Sequence, residues 1–426
     1  MTESGGAQFV VAPDGSGTHR GLAEAVAAAA PGAAIRLAAG THRLERGLLF
    51  DKPVTLIGAG MDATRLEADV VRPGTKRIAG QADFVLCYLG SGRLELRDLA
   101  FEWTGDNPAV AADVVVCFGG DVLIERCRFG GASSRGPKYG AGLEFHGSAR
   151  GSVVDCEMGR NGHGMIIEGQ ADVVLRRNTC SNNTRNGILL GGRTRATVEE
   201  NVCNGNKFSG IHFMLQSQGT GSSNICMENG LTGISVGPES RASLRANTCG
   251  ANTYVGIFCE SPFPVELQAN ICRYNAGGML IGAGAKPLVE RNICEGNRKH
   301  GLAYIASASG TARGNTCSKN AGDGINVDQE AHPVLEGNIC DANRLAGIDF
   351  SGKAAGLARA NRCTANSLCG ITVEQRATPG LQDNVCLDNQ RAGIYVTVHA
   401  RPELTSNHCA GNLVSDFWNE RKGPRA

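Results

Sequence analysis

Glu144 and His146 stand two residues apart in "KYGAGLEFHG" (138–147), and Glu168 follows where the same local pattern comes round again. In an extended strand, residues i and i+2 project from one face, so Glu144 and His146 share a side. A carboxyl and an imidazole placed that closely shift each other's proton affinity, which suits acid–base chemistry near neutral pH. His163 stands directly before Gly164, and Tyr139 ends the irregular run "RFGGASSRGPKY" together with Arg135 and Lys138. An irregular loop beside an outward cluster of Tyr, His, Glu, Lys and Arg is what a catalytic groove on a rigid scaffold requires.

What must position these residues is a repeat. Asn-x-Cys-x-x-Asn occurs eleven times, with cysteines at 180, 203, 226, 249, 272, 294, 317, 340, 363, 386 and 409, a step of 23 residues and once of 22. Gly followed by an aliphatic residue comes after most of these motifs, giving short alternating strands such as "GISV" and "GINV" between Asn/Gly turns. A unit this short, with no helix, cannot bury its own apolar face, so neighbours must stack. The expected fold is all-β: a right-handed parallel β-helix, a solenoid of ~23-residue coils whose Cys, Asn and Ile form ladders about 4.8 Å apart. Its hand follows the general preference for right-handed crossovers.

Upstream, "LIERCRF", "VVDCEM" and "LELRDLAFEW" read as degenerate coils. Residues 1–60 read as an N-terminal strand/helix cap with a helix from about Gly21 to Ala30, residues 61–412 as the β-helix, and residues 413–426 as a C-terminal cap with Leu413, Phe417 and Trp418 as its lid. Gly15-x-Gly17-x-x-x-Gly21 has the wrong spacing for a dinucleotide loop and reads as a turn. Counted from the Gly of each coil, Gly+1 and Gly+3 are apolar and point inward, whereas Gly+2 and Gly+4 point outward. Glu144 and His212 fall at Gly+2, His146 and Glu168 at Gly+4. A second polar group, Lys299, His300, Asp323, Asn326, Asp328, Asp349 and Glu374, crosses later coils. Its carboxylates could hold a cation or extend a binding groove, but strict coils leave no loop there to cover substrate, so the group reads as solvated surface. No motif indicates a metal, calcium included, and no cofactor is expected.

Lys+Arg 42 against Asp+Glu 41 leaves a net charge of +1, so no overall field draws the chain to nucleic acid or anionic lipid. No apolar run has membrane-spanning length, and the opening MTESGGAQ lacks the basic segment of a signal peptide. The 17 cysteines include no C-x-x-C pair and read as reduced thiols in a narrow core corner. These features favour a cytoplasmic protein, with leaderless secretion open. The partners expected are an acidic polysaccharide or a protein, with neither nucleic acid nor membrane.

Two stretches resemble known families. "VAPDGSG" through "PVTLIGAG" resembles the opening of pectate-lyase-like β-helix proteins. "YGAGLEFHG", "RNGHGMIIEG" and "NTCSNNTRNGILL", roughly residues 139–190, resemble the catalytic stretch of bacterial mannuronan (alginate) C5-epimerases, with Tyr-Gly, an Asp-Pro-His strand and an acid on the next coil. The resemblance implies that Tyr139 is the catalytic tyrosine, Glu144 and His146 the acid and histidine of the strand, and Glu168 the following acid. Here both acids are Glu rather than Asp, Phe145 replaces the proline, and two extra residues follow Tyr139. The implied chemistry is removal of the C5 proton of a uronate, with His146 and Tyr139 as base and acid on opposite faces of the ring. A proton shared by Glu144 and Glu168 would neutralise the sugar carboxylate. His163 stands beside this set, and Arg135, Lys138, Arg160 and Arg185, with His212 on the outward column, would hold neighbouring carboxylates. Reprotonation gives an epimer; loss of the 4-O-linked sugar gives a lyase product. Gly162-His163-Gly164 resembles a polygalacturonase motif, but the closely placed aspartates of those hydrolases are missing. The reading from another class is a non-catalytic β-helix scaffold that binds a protein or polysaccharide partner.

Overall fold

The computed structural model describes residues 9–69, 83–105, 111–132, 134–135, 138–421 and 423–425. They form two compact units, Met1–Ile211 with Ser217–Gly219 and His212–Gln216 with Thr220–Ala426. Within each, short parallel strands stack rung on rung into the right-handed β-helix that the repeat demands.

In the first unit a rung consists of three strands on three sheets, for example Asp121–Glu125, Arg128–Gly130 and Ala141–Phe145. The next rung, Arg150–Val154, Glu157–Gly159 and His163–Ile167, pairs with it strand by strand in register, setting Ile124 on Val153, Phe129 on Met158 and Leu143 on Met165. Stacking begins early in the chain: Ala33–Leu37 pairs with Val54–Ile57, which pairs with Arg93–Arg97. Among the described residues the one helix is Leu22–Ala28, which buries Leu22, Ala25 and Val26. It ends ahead of Pro31, which disfavours helical backbone in the residue before it. None of the described helices is long and apolar enough to cross a membrane.

In the second unit the motif cysteines form a single column in which Cys226 pairs with Cys249, Cys249 with Cys272, and so on rung by rung to Cys409. All 17 cysteines of the chain are free thiols, and all but Cys409 are buried. Burial disfavours the thiolate, pushing the Cys259 thiol up to about 11. The inward positions are as the repeat predicts, with Ile325, Val327, Ile348, Phe350, Ile371 and Val373 fully buried.

Two asparagine ladders run beside the cysteines. Asn315 shows the pattern: its N–H and its Nδ2 both donate to Oδ1 of Asn338, and Nδ2 also donates to the Val289 carbonyl. Its own Oδ1 accepts from the N–H and Nδ2 of Asn292. A buried amide with that many partners meets the requirement that interior polar groups be satisfied. It also anchors the turn, because the residue before many ladder asparagines has left-handed backbone although it is not glycine, as at Arg177 (φ 52), Glu200 (φ 56), Ala246 (φ 53) and Ala360 (φ 53). The Gly opening each inward strand has a different cause: a Cβ on Gly324 would lie 2.6 Å from the Gly347 carbonyl oxygen.

The C-terminus adds one more rung. Ser415–Asn419 pairs in parallel with Ala392–Val396 and antiparallel with Gly423–Arg425, while Leu413 is 73% exposed and covers nothing.

Candidate active site

Glu144 sits on the outward side of Ala141–Phe145, in register with Val116 on one rung and Ile166 on the next. His146 follows at the turn, its N–H bonded to the Cys117 carbonyl; Phe118 and Glu168 hold the same position one rung before and one after. The column therefore reads Phe118, His146, Glu168, and the imidazole stacks on the Phe118 ring with centroids 5.3 Å apart. Polar atoms of Glu144, His146 and Glu168 all lie within 4.8 Å of one another.

Gly147 has φ 61, and a Cβ there would meet the Phe118 carbonyl at 2.5 Å, so the turn needs glycine. Its N–H donates to Nδ1 of His146 at 2.7 Å. With Nδ1 accepting, the neutral ring carries its proton on Nε2. That tautomer would present a donor to the groove, where the resemblance implies a base.

Asp113 completes the cluster. It is only 5% exposed on Ala112–Cys117, a strand buried along its whole length, and its Oδ1 accepts from the Ala141 N–H at 2.7 Å. Its side chain is hydrogen-bonded to the Glu144 carboxyl, and burial, followed by the charges of Asp113 and Glu168, holds that carboxyl well above the ordinary glutamate range. The imidazole and the two carboxyls stand close enough to pass a proton among themselves.

His163 is 7% exposed and pairs in register with Ala141, whose N–H is bonded to Asp113. Ser134–Arg135 and Lys138–Tyr139 form a two-stranded antiparallel ribbon, and the side chains of Arg135, Lys138 and Tyr139 lie outside the described residues. Arg160 follows Glu157–Gly159, a strand of another sheet, and lies 3.6 Å from Glu102 in a hollow of about 340 Å³ shared with Asp62 and Arg65. Arg185 lies over the Phe208 ring at 4.3 Å. His212 belongs to the second unit, where burial pushes its imidazole down. Asp113 and Phe118 escaped the sequence reading because Val114 stands where the other coils have the Gly from which the register is counted.

The second polar group is not plain solvated surface. Asp323 is 5% exposed, its Oδ1 accepts from the Ala346 N–H at 2.8 Å, and its Oδ2 lies 3.0 Å from His300 Nδ1. Asp349 accepts from Asn326 Nδ2 at 3.2 Å. Burial, with Asp323 and Glu374 adding charge, pushes the Asp349 carboxyl up to about 8. The arrangement repeats that of the first unit: Asp323, Asp349 and Glu374 stand at the register positions of Asp113, Glu144 and Glu168 on three successive rungs, with Ser351 where His146 stands. Folding raises Asp349 above its unfolded value, so the folded state holds a proton that the unfolded chain releases between pH 3.8 and about 8. Its contribution to stability is present at pH 4 and lost as the pH rises through that window. Calorimetry from pH 5 to 9 should show the melting temperature falling, and Asp349→Asn should flatten that fall; parallel curves for the two proteins would refute the assignment.

These elements define a parallel β-helix protein with an outward acid–base cluster on its first unit. The family description "Right handed beta helix region" matches residues 89–237, 163–312, 214–358 and 303–415, and the chain belongs to that family. Comparison with curated proteins finds no match. Among solved structures, the catalytic unit of the thermostable GH87 alpha-1,3-glucanase from Streptomyces thermodiastaticus strain HF3-3 is similar, with a TM-score of 0.51, 14% identity, and coverage of 95% of this chain and 69% of that one. Pectate lyase Pel9A has a TM-score of 0.44, 14% identity, and coverage of 71% and 78%. The periplasmic alginate epimerase AlgG has 0.38, 12% identity, and coverage of 89% and 78%. At such identities the likeness establishes fold alone.

Proposed function

We propose that this protein acts on an acidic polysaccharide, removing the C5 proton of a uronate residue at Glu144, His146 and Glu168. What supports the reading is a carboxyl whose proton affinity is raised by burial and by Asp113 and Glu168, beside an imidazole whose Nδ1 accepts from Gly147 and a second carboxyl, the three within 4.8 Å of one another. A C5 proton becomes acidic only when the adjoining carboxylate can accept the electron pair, so that carboxylate must be met by hydrogen-bond donors. Glu144 and His146 supply two. Glu168 is then the base: the C5–H bond breaks, the proton goes to its carboxylate, and the pair moves into the sugar's carboxyl group.

The intermediate has two exits. A proton delivered to the opposite face of C5, the role that the resemblance gives to Tyr139, re-forms C5–H with inverted configuration. Breaking C4–O instead expels the linked sugar and leaves a C4=C5 double bond. The test is incubation with polymannuronate and with polygalacturonate in deuterated water, following deuterium at C5 by NMR and unsaturated ends by absorbance. Exchange or unsaturation with either polymer is expected. Folded protein that gives neither with both polymers would leave the non-catalytic scaffold as the better account.

A further inference from the structure

We propose that Asp113 is a positioning residue of this site: it fixes the proton on Glu144 and so makes the groove a receptor for a carboxylate-bearing sugar. The inference rests on the uronate reading above and adds to it a residue on a separate rung that touches no substrate.

Two hydrogen-bonded carboxyls need one proton between them. The Ala141 N–H, 2.7 Å from Asp113 Oδ1, stabilises negative charge on Asp113. The proton therefore belongs to Glu144, in the form Glu144 O–H to Asp113 carboxylate. Among the described residues, the titratable groups around Glu144 are Asp113 on the preceding rung, Glu168 on the following one, His146 on its own turn and the buried Cys117 thiol. Val116 and Ile166, its register partners, are apolar. An ionised Glu144 would add a further negative charge beside Asp113 and Glu168 and repel an incoming carboxylate.

The same bond favours the transition state. As the C5 electron pair moves into the sugar's carboxyl group, that group gains basicity and competes with Asp113 for the Glu144 proton. An interaction that strengthens only as charge develops lowers the barrier without tightening ground-state binding. Asp113 thus acts as a holder that releases the Glu144 O–H to the sugar late in the step.

The test uses the full chain, labelled with carboxyl-13C glutamate, with Glu144 assigned from Glu144→Gln. Wild-type Glu144 is expected to be protonated at pH 7. In Asp113→Asn the amide oxygen keeps the Ala141 bond while its NH₂ donates to Glu144. That should bring the Glu144 titration down toward ordinary glutamate, cut kcat/KM for C5 exchange at pH 7 at least about tenfold, as one unit of titration shift dictates, and restore much of it at lower pH. Asp113→Glu should recover part of the pH 7 rate. Should Asp113→Asn fail to fold, the wild-type titration alone decides. An ionised Glu144 at pH 7, or a titration that Asp113→Asn leaves in place, overturns the proposal even if the enzyme exchanges C5 protons. A shifted titration with no uronate exchange by wild type would retain the carboxyl pair and remove the sugar chemistry.

Discussion

His146→Ala is expected to slow C5 exchange by about 10²–10³-fold, the usual loss on removing one preorganised donor to a developing oxyanion. The melting temperature should hardly move, because what fixes the local backbone is the His146 N–H bond to the Cys117 carbonyl and not the ring, whose described contacts are the Phe118 face and the Gly147 amide. His146→Gln separates two roles. The amide of Gln can still donate, so part of the rate should survive if His146 works through Nε2–H. A glutamine variant as slow as the alanine one would mean that the imidazole takes the proton, against the tautomer that the Gly147 N–H enforces. Steady-state exchange rates for the three proteins decide the matter.

The largest effect on stability is expected in the asparagine ladder. Asn315→Ala removes the acceptor of the Asn292 N–H and a donor to the Val289 carbonyl, and strips one of two donors from Asn338 Oδ1. Each group stranded in a dry interior costs about 1–3 kcal/mol, so the substitution should destabilise by about 3–6 kcal/mol. Lys319→Ala, which breaks an exposed contact with Glu295, should cost under about 1 kcal/mol. Urea unfolding followed by circular dichroism measures both. Because stability in stacked repeats is passed from neighbour to neighbour, Asn315→Ala should also lower the m-value as the second unit begins to open separately. Equal midpoints for the two variants would show that the amides are not what holds the turns.

The ladders were legible in the sequence because a 23-residue step leaves few ways to satisfy an Asn and a Cys that recur together. Glu144, His146 and Glu168 were legible for the same reason: alternation fixes which side a residue faces once the Gly gives the register. Asp113 was not. Its rung is joined to the next by a longer excursion and has Val114 where the other coils have the Gly from which the register is counted, so nothing in the sequence aligned Asp113 with Ala141. Asp349 was misjudged because strict coils were taken to mean open solvent. Residues one rung apart shield one another whatever the loops do, and the 5% exposure of Asp323 shows how far that shielding goes. Arg160 and Arg185 looked like groove cations by proximity in sequence, yet a coil of three sheets sends neighbours to different faces.

The thiol column has a consequence for how this chain can be handled. While the rungs are stacked, 16 of the 17 sulfurs are out of reach of any oxidant. Opened out, the same sulfurs become solvent-facing, ten of them (the motif cysteines from Cys180 to Cys386) at steps of 22 or 23 residues, free to cross-link in many wrong combinations. Melting in air is then a one-way event, whereas melting under dithiothreitol leaves the chain free to rewind.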